Sequence, residues 1–334
     1  MRDSHLRTAR PLAWVAGGSR GLGYAIAERL GRSGYRVLIT ARTRADLDRA
    51  QAQLEADGLD VISRVHDVRD AAGARDLVAE IESRYGPIEV VVAVAGVISV
   101  GPVQDQAEAY NQSLDIMLHG PINVAHAVLG PMRERGRGRI GIVTSIAGLI
   151  PVPHLVAYSA AKHGAVGFAR ALATELTGSG ISVSTIIPGL MRTGGHWHAD
   201  YHGKAEAEYG WFTALSAMPI VSIDAERAAR IIVRGVLAGR RKIIFTLPAR
   251  LGDLVYRLSP EATGLAIGAA GRLLPAPGDD HAPGHRADAG MPKLFDRLTV
   301  LARDAVRRFN QNDAHRDAGG DIGRHDVANP DSRA

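Results

Sequence analysis

The start of this chain runs from a short apolar strand through a glycine-rich turn into a helix, and no other feature restricts the fold as much. Residues 12–16 (LAWVA) are apolar, Gly17-Gly18-Ser19-Arg20-Gly21-Leu22-Gly23 follow, and YAIAERLGRSG then repeats its apolar positions with helical periodicity. Glycines at 17, 21 and 23 let backbone amides approach a pyrophosphate. A helix starting at Gly21 adds its positive dipole end, so Ser19, Arg20 and Leu22 fall on a phosphate-binding turn. The spacing is G-x-x-x-G-x-G, one residue longer than the commoner G-x-G-x-x-G dinucleotide arrangement.

Further strand-like runs occur at 35–40, 60–65, 88–95, 139–144 and 181–187, separated by amphipathic segments of helical length. Alternating β and α implies an α/β fold, a doubly wound parallel sheet of the Rossmann kind. Ligands of such sheets bind beyond the carboxyl ends of the strands. Gly17, Arg42, Asp67, Gly96, Ser145 and Pro188-Gly189 all stand at such ends, so they are expected to converge on one crevice. The second strand ends in Ala41-Arg42, where a binder of NAD would usually place an acid against the ribose 2′-hydroxyl. Arg42 and Arg20 instead offer two guanidinium groups that suit a 2′-phosphate, which favours NADPH over NADH. The competing reading of each arginine is a solvated surface charge.

Tyr158 and Lys162 are four residues apart in HLVAYSAAKHGAVGFARALATEL, whose apolar positions fit a helix, so the two side chains share a face. A free phenol has a pKa of about 10, too high for efficient proton exchange at neutral pH, and needs a neighbour that favours phenolate. Lys162 is placed to be that neighbour. A unit positive charge at roughly 4 Å, at an effective dielectric near 20, favours the anion by about 4 kcal/mol, enough to bring Tyr158 down to about 7. Ser145 lies 13 residues before Tyr158 at the end of the run RIGIVT, where it can orient a carbonyl oxygen. A Y-x-x-x-K pair alone is more often surface decoration; the strand-turn-helix start is what gives this one a chemistry.

Together these residues resemble the short-chain dehydrogenase/reductase family over roughly residues 12–248. The matching motifs are Gly17-x-x-x-Gly21-x-Gly23, Asp67-Val68, Ala95-Gly96, Ser145, Tyr158-x-x-x-Lys162, and Pro188-Gly189 with Thr193. The resemblance implies Tyr158 as general acid/base, Lys162 holding the nicotinamide ribose and tuning Tyr158, and Ser145 positioning the substrate oxygen. It implies Asp67 and Val68 as adenine contacts, and Pro188, Gly189 and Thr193 as neighbours of the nicotinamide. It also implies NADP(H)-dependent interconversion of a carbonyl compound and an alcohol by homodimers or homotetramers. Two positions depart from the family pattern. Val94 replaces the asparagine usual before Ala95-Gly96, a change expected to affect stability more than chemistry. Met117 stands where the family carries a catalytic asparagine that holds a water beside the lysine, and a thioether cannot donate a hydrogen bond. Either another group, with His119 the candidate, completes a proton relay, or water reaches Lys162 unaided.

The length of 334 residues allows one domain over 12–248 behind a flexible start at 1–11, with a helical extension at 249–309 and a disordered tail at 310–334. Within the extension, RLGDLVYRLSPEATGLAIGAAGRLLP is apolar and interrupted by Pro260, and the polar, Pro/Gly-rich stretch near 276–290 reads as a linker. The apolar part could cover the pocket, meet another subunit, or rest on a membrane surface. Residues 190–220 correspond to the family's variable substrate loop. Their aromatics, Trp197, Tyr201, Tyr209, Trp211 and Phe212, could cover an apolar substrate or pack on one another. His196, His198 and His202 lack the partners of a metal site, and no metal is expected.

The chain has no cysteine, its first residues lack the long apolar stretch of a secretory signal, and no run of about eighteen uncharged apolar residues suggests a membrane span. A cytoplasmic enzyme is the expectation. Only four of the 40 basic residues are lysines, and the arginines are scattered between acids without a basic stripe, so the net charge of +5 does not point to nucleic acid. Two other readings stand beside the reductase. Gly17-Gly18-Ser19-Arg20-Gly21 has the form of a serine hydrolase's nucleophile elbow, though it comes too early in the chain. Met117 and Val94 also suit a protein that binds NADPH as a sensor without turning it over.

Overall fold

The computed structural model describes residues 10–105, 109–218, 222–289, 304–306 and 308–311. Seven strands form its main sheet: β1 (Leu12–Ala16), β2 (Arg36–Ala41), β3 (Val61–Val65), β4 (Ile88–Ala93), β6 (Gly138–Val143), β7 (Ile181–Ile187) and β11 (Lys242–Ile244). Two short pairings stand apart from it. One joins β5 (Ser99–Val100), β9 (Asp200–Gly203) and β12 (Asp280–Pro283), and the other joins β8 (Met191–Arg192) to β10 (Ile223–Asp224). The helices are α1 (Gly21–Arg32), α2 (Arg44–Ala56), α3 (Ala71–Tyr85), α4 (Ala109–Leu114), α5 (Gly120–Arg135), α6 (Val156–Glu175), α7 (Ala205–Ala217), α8 (Ala225–Leu237), α9 (Leu247–Leu258), α10 (Pro260–Gly271) and α11 (Gly284–Ala289).

The main sheet runs β11-β7-β6-β4-β1-β2-β3 and is parallel throughout. The strand order reverses between β1 and β4, which opens a crevice at their carboxyl ends. Both faces of a parallel sheet are covered, so its strands are apolar continuously rather than alternately. β1 shows the consequence: Leu12, Trp14 and Ala16 pack toward α3, α5 and α6, while Ala13 and Val15 pack toward α1, α2 and α8. Trp14 is fully buried, and its indole N–H donates to Thr40 Oγ1 at 3.0 Å, which removes the cost of an unpaired donor.

Six of the seven strands coincide with apolar runs of the sequence to within two residues at either end. The seventh, β11, carries only Lys-Ile-Ile and was not anticipated; three residues are too few for periodicity to register. Two expectations about the carboxyl-terminal third need correction, and a third holds. The stretch near 276–290 is no linker, because Asp280–Pro283 pairs antiparallel with β9 and Gly284–Ala289 is helical. The tail does not begin at 310: Asn310 and Gln311 are buried against the glycine turn. Pro260 does interrupt the apolar run, as the first residue of α10. Residues 1–9, 291–303 and 312–334 lie outside the described residues, and with them most of the expected flexible start, part of the helical extension and most of the tail.

The glycine turn is fixed by backbone crowding. Gly17 has a φ of +92°, and a Cβ there would lie 2.6 Å from the amide nitrogen of Ala95. A Cβ on Gly23 would lie 1.9 Å from the carbonyl oxygen of Gly17, so α1 can enter against β1 only through a residue without a side chain. Gly23→Ala is expected to cost about 3 kcal/mol or more by forcing α1 off the sheet, read in urea unfolding as a lower midpoint with an unchanged slope.

Candidate active site

The strand ends deliver the sequence-derived residues to one place. Gly17, Ser19, Arg20, Gly21, Leu22, Gly23, Arg42, Asp67, Val68, Ala95, Gly96, Ser145, Tyr158, Lys162, Pro188 and Gly189 all line a single crevice. Thr193 does not line it; its hydroxyl accepts from the Gly195 amide at 3.3 Å, and its carbonyl accepts from Gln311 Nε2 at 3.0 Å.

At one end, the amides of Gly17 and Gly18 donate to Thr40 O at 2.8 and 3.1 Å, and those of Val94 and Ala95 donate to Ala16 O at 2.9 and 3.0 Å. These bonds hold the turn between β2 and β4 while the first amides of α1 have no acceptor within the helix. Asp67 caps its own loop by accepting from the Arg69 amide at 3.0 Å and its guanidinium at 2.6 Å. Burial alone would raise the Asp67 pKa, but the Arg69 hydrogen bonds, with Arg42 nearby, outweigh it and hold the carboxyl below its ordinary value. Val68 is steadied through its carbonyl, which accepts from Asn123 Nδ2 at 3.0 Å. Arg20 and Arg42 are not equivalent. Asp46, which the sequence reading passed over, stands 4.0 Å from Arg20 and also pairs with Arg49. Arg42 is exposed at the crevice and has no ion pair within 4 Å among the described residues.

The reactive end is built on β6 and α6. Ser145 follows β6, and its Oγ accepts from the Ala147 amide at 3.2 Å as it caps a short 3-10 turn. Tyr158 is half-buried and lines the crevice together with Ser145, whose hydroxyl acts to lower the phenol's pKa. Lys162, one turn along α6, is 3% exposed and donates from Nζ to Val143 O at 3.0 Å. Burial pushes the Lys162 ammonium down to about 8, so it keeps most of its charge at neutral pH. Tyr158 moves the other way from the expected 7. Burial raises its pKa, and the Ser145 hydroxyl offsets this only partly. The ammonium lies 5.6 Å from the ring centroid and is engaged by a carbonyl, so its field on the phenolic oxygen is weak against the cost of burying phenolate. Tyr158 is therefore a neutral phenol in this state.

Met117 is fully buried in a π-helical turn, Asp115–His119, and packs toward Gly96. His119 is not a relay partner. It is exposed and turns to Asp115, with Nδ1 3.1 Å from Oδ1. The aromatics of the 190–220 loop pack chiefly on one another: Tyr201 is 5.4 Å from Tyr209, and Trp211 is 5.7 Å from Phe212. The three histidines of that loop go to separate partners, His196 to Tyr209, His198 to Gln311 O and His202 to His281.

The carboxyl-terminal residues reach back across the site. Phe309 O accepts from the Gly21 amide at 2.7 Å, and Asn310 Nδ2 donates to Ser19 O at 2.8 Å and to Asp46 O at 3.1 Å. Gln311 joins the crevice wall, where a Cβ on Gly21 would meet its Nε2 at 2.6 Å. No local sequence signal marks these residues, because each meets partners more than a hundred positions away.

Residues 11–201 match the family model of the short chain dehydrogenases. The chain belongs to that family. A Streptomyces coelicolor protein named for ketoacyl reduction is 39% identical over 185 residues, covering 54% of this chain and 71% of its own. Human dehydrogenase/reductase SDR family member 4 is 34% identical over 187 residues, 55% of this chain and 67% of that one. Among solved structures, a short-chain dehydrogenase from Streptomyces avermitilis superposes with a TM-score of 0.68 at 26% identity, covering 80% of this chain and 99% of that one. An actinorhodin polyketide ketoreductase crystallised with NADPH superposes with a TM-score of 0.61 at 31% identity, over 71% and 96% of the two chains.

This short chain dehydrogenase is thus an NAD(P)-dependent oxidoreductase acting on CH–OH or C=O groups, and the hydrolase reading of Gly17–Gly21 falls away. Its residues fit a nicotinamide dinucleotide: the glycine cradle has no room for a Cβ, the start of α1 lines the crevice, and Asp67 and Arg42 line it as well. The Lys162 ammonium also gives a stability signature. The folded chain releases this proton near pH 8 and the unfolded chain near 10.5, so between those values the unfolded state binds the extra proton and stability gains with rising pH. Thermal unfolding across that window should show this gain in the wild type, and Lys162→Met should flatten it.

Proposed function

We propose that this short chain dehydrogenase uses NADP(H) to reduce a ketone or aldehyde to an alcohol, reversibly, with Tyr158 as the proton donor. The observation that carries the reading is the convergence of Ser145, Tyr158 and buried Lys162 on the wall of one crevice, whose other end presents Arg42. Ser145 and Tyr158 can both hydrogen-bond a carbonyl oxygen, and the neutral phenol holds the proton that the oxygen needs as it becomes an alkoxide. Bound NADPH would supply the hydride. Lys162 keeps a positive charge next to the phenol, which makes transient phenolate less costly. Val97, Ile98, Met117 and Met191 on the same wall suit an apolar substrate. The ketoacyl assignment of a relative supports a ketone, and the NADPH of a structural neighbour supports the cofactor.

Met117 favours one other reading, an NADPH-binding sensor without turnover, because a buried thioether holds no water beside Lys162. One experiment separates the two. NADPH oxidation is followed against pooled ketones, aldehydes and ketoacyl thioesters, with Tyr158→Phe as control. Reductase activity should fall about 10²- to 10⁴-fold in Tyr158→Phe; tight NADPH binding with no oxidation from any pool would establish the sensor. Arg42→Ala should weaken NADPH binding about ten- to a hundredfold and leave NADH binding nearly unchanged, measured by fluorescence titration.

A further inference from the structure

Helix α9 is built inside out. It buries a carboxylate, Asp253, together with Ala249, while Leu247, Leu251, Leu254, Val255 and Leu258 are each 48% exposed or more. Helix α10 buries no side chain; Leu265 on it and Leu273 just beyond it are 76% and 89% exposed. Seven of the twelve exposed large apolar side chains among the described residues thus fall between 247 and 273. A patch of this kind marks an interaction surface rather than a face that meets water alone.

The charges around it narrow the choice of partner. Between 240 and 273 stand Arg240, Arg241, Lys242, Arg250, Arg257 and Arg272 against only Asp253 and Glu261, which places a net +4 of the chain's +5 on this stretch. Asp253 is already held by Lys242 at 2.6 Å and Arg257 at 2.8 Å. That leaves Arg240 and Arg250 facing a cavity of about 420 Å³, which Leu254 also lines, at the border of the apolar face. The same helices stand beside the active site. A Cβ on Gly252 would lie 3.6 Å from Ile150 Cδ1 and one on Gly271 3.0 Å from Pro153, both in the loop between Ser145 and Tyr158, and crevice residue Gly189 lies against Ala249.

A second copy seated on this face by a two-fold axis would set +4 against +4 at the edge of an apolar contact, where like charges repel most. An anionic bilayer neutralises the same cations and accepts leucines at headgroup depth. We propose that α9 and α10 lie in the interfacial region of an anionic lipid bilayer, with the surrounding arginines among the headgroups, and so hold the mouth of the active site at the membrane surface. No helix among the described residues is long and apolar enough to cross a membrane, so the contact is one of lying on it. A carbonyl compound dissolved in the bilayer then becomes the substrate class that the crevice meets first. This corollary rests on the reductase reading; the docking does not.

The test is cosedimentation of the full chain with vesicles of phosphatidylcholine alone, or of phosphatidylcholine with phosphatidylglycerol. The wild type should pellet with the anionic vesicles and bind roughly tenfold more weakly to the neutral ones or at high salt. Leu254→Glu with Leu258→Glu should abolish pelleting while leaving NADPH binding and the unfolding midpoint unchanged. Should that variant fold poorly, Arg240→Glu with Arg272→Glu, which leaves the apolar face intact, should still lose the preference for anionic vesicles. Absence of pelleting with anionic vesicles, or pelleting that both variants retain, overturns the proposal. So does a lower sedimentation coefficient for the leucine variant without lipid, which would assign the face to contact between copies. Vesicle binding in a protein that oxidises no NADPH would sink the reductase reading and leave the docking standing.

Discussion

The close backbone contact between the glycine turn and the end of β4 is the constraint on which the rest of the structure depends. Gly17 can sit against Ala95, and Gly23 against the carbonyl of Gly17, only without side chains. That approach sets α1 on the sheet, brings β1 and β4 side by side at the point where strand order reverses, and places the start of α1 on the crevice wall. Crowding within the protein is sufficient to explain the glycines at 17 and 23; a ligand need not be invoked for them. The cradle that results is nonetheless the shape a pyrophosphate requires, so one steric demand serves folding and binding together.

Burial, more than pairwise attraction, governs the reactive residues. The pair spacing suggests that Lys162 draws a proton off Tyr158, yet both groups are pushed toward their neutral forms because each is removed from water. Burial dominates both shifts, and the Ser145 hydroxyl offsets that of Tyr158 only in part. A neutral phenol next to a mostly charged ammonium suits the protonation half of a reversible reaction, in which a proton leaves the tyrosine as negative charge develops on the substrate oxygen.

The carboxyl-terminal third plays two physically distinct parts. Asn310 and Gln311 tie backbone carbonyls of the glycine turn and the 190–220 loop together, and so act as an internal strap on that end of the crevice. Helices α9 and α10 do the opposite, turning leucines outward beside the substrate end while spending their one buried acid on Lys242 and Arg257. Internal amides satisfy internal acceptors in the first case, and an outward apolar face implies an external partner in the second.

Features set by short-range rules were legible in the sequence: the turn glycines, the four-residue spacing of Tyr158 and Lys162, six apolar strands, and the placing of Gly17, Arg42, Asp67, Gly96, Ser145, Pro188 and Gly189 at strand ends. Strand periodicity and strand-end location are properties of the chain itself, and a parallel sheet converts them directly into convergence on one crevice. What depended on distant partners was not legible. The pKa of Tyr158 follows from burial, Arg20 is shared with Asp46, the loop aromatics stack on each other, β11 takes its identity from pairing with β7, and Asn310 finds Ser19 from 291 residues away. The sequence by itself determined which groups are available and in what order the strands deliver them. Only the tertiary structure decided how much water each keeps and which neighbour claims its charge, because desolvation and long-range contacts are properties of the packed whole.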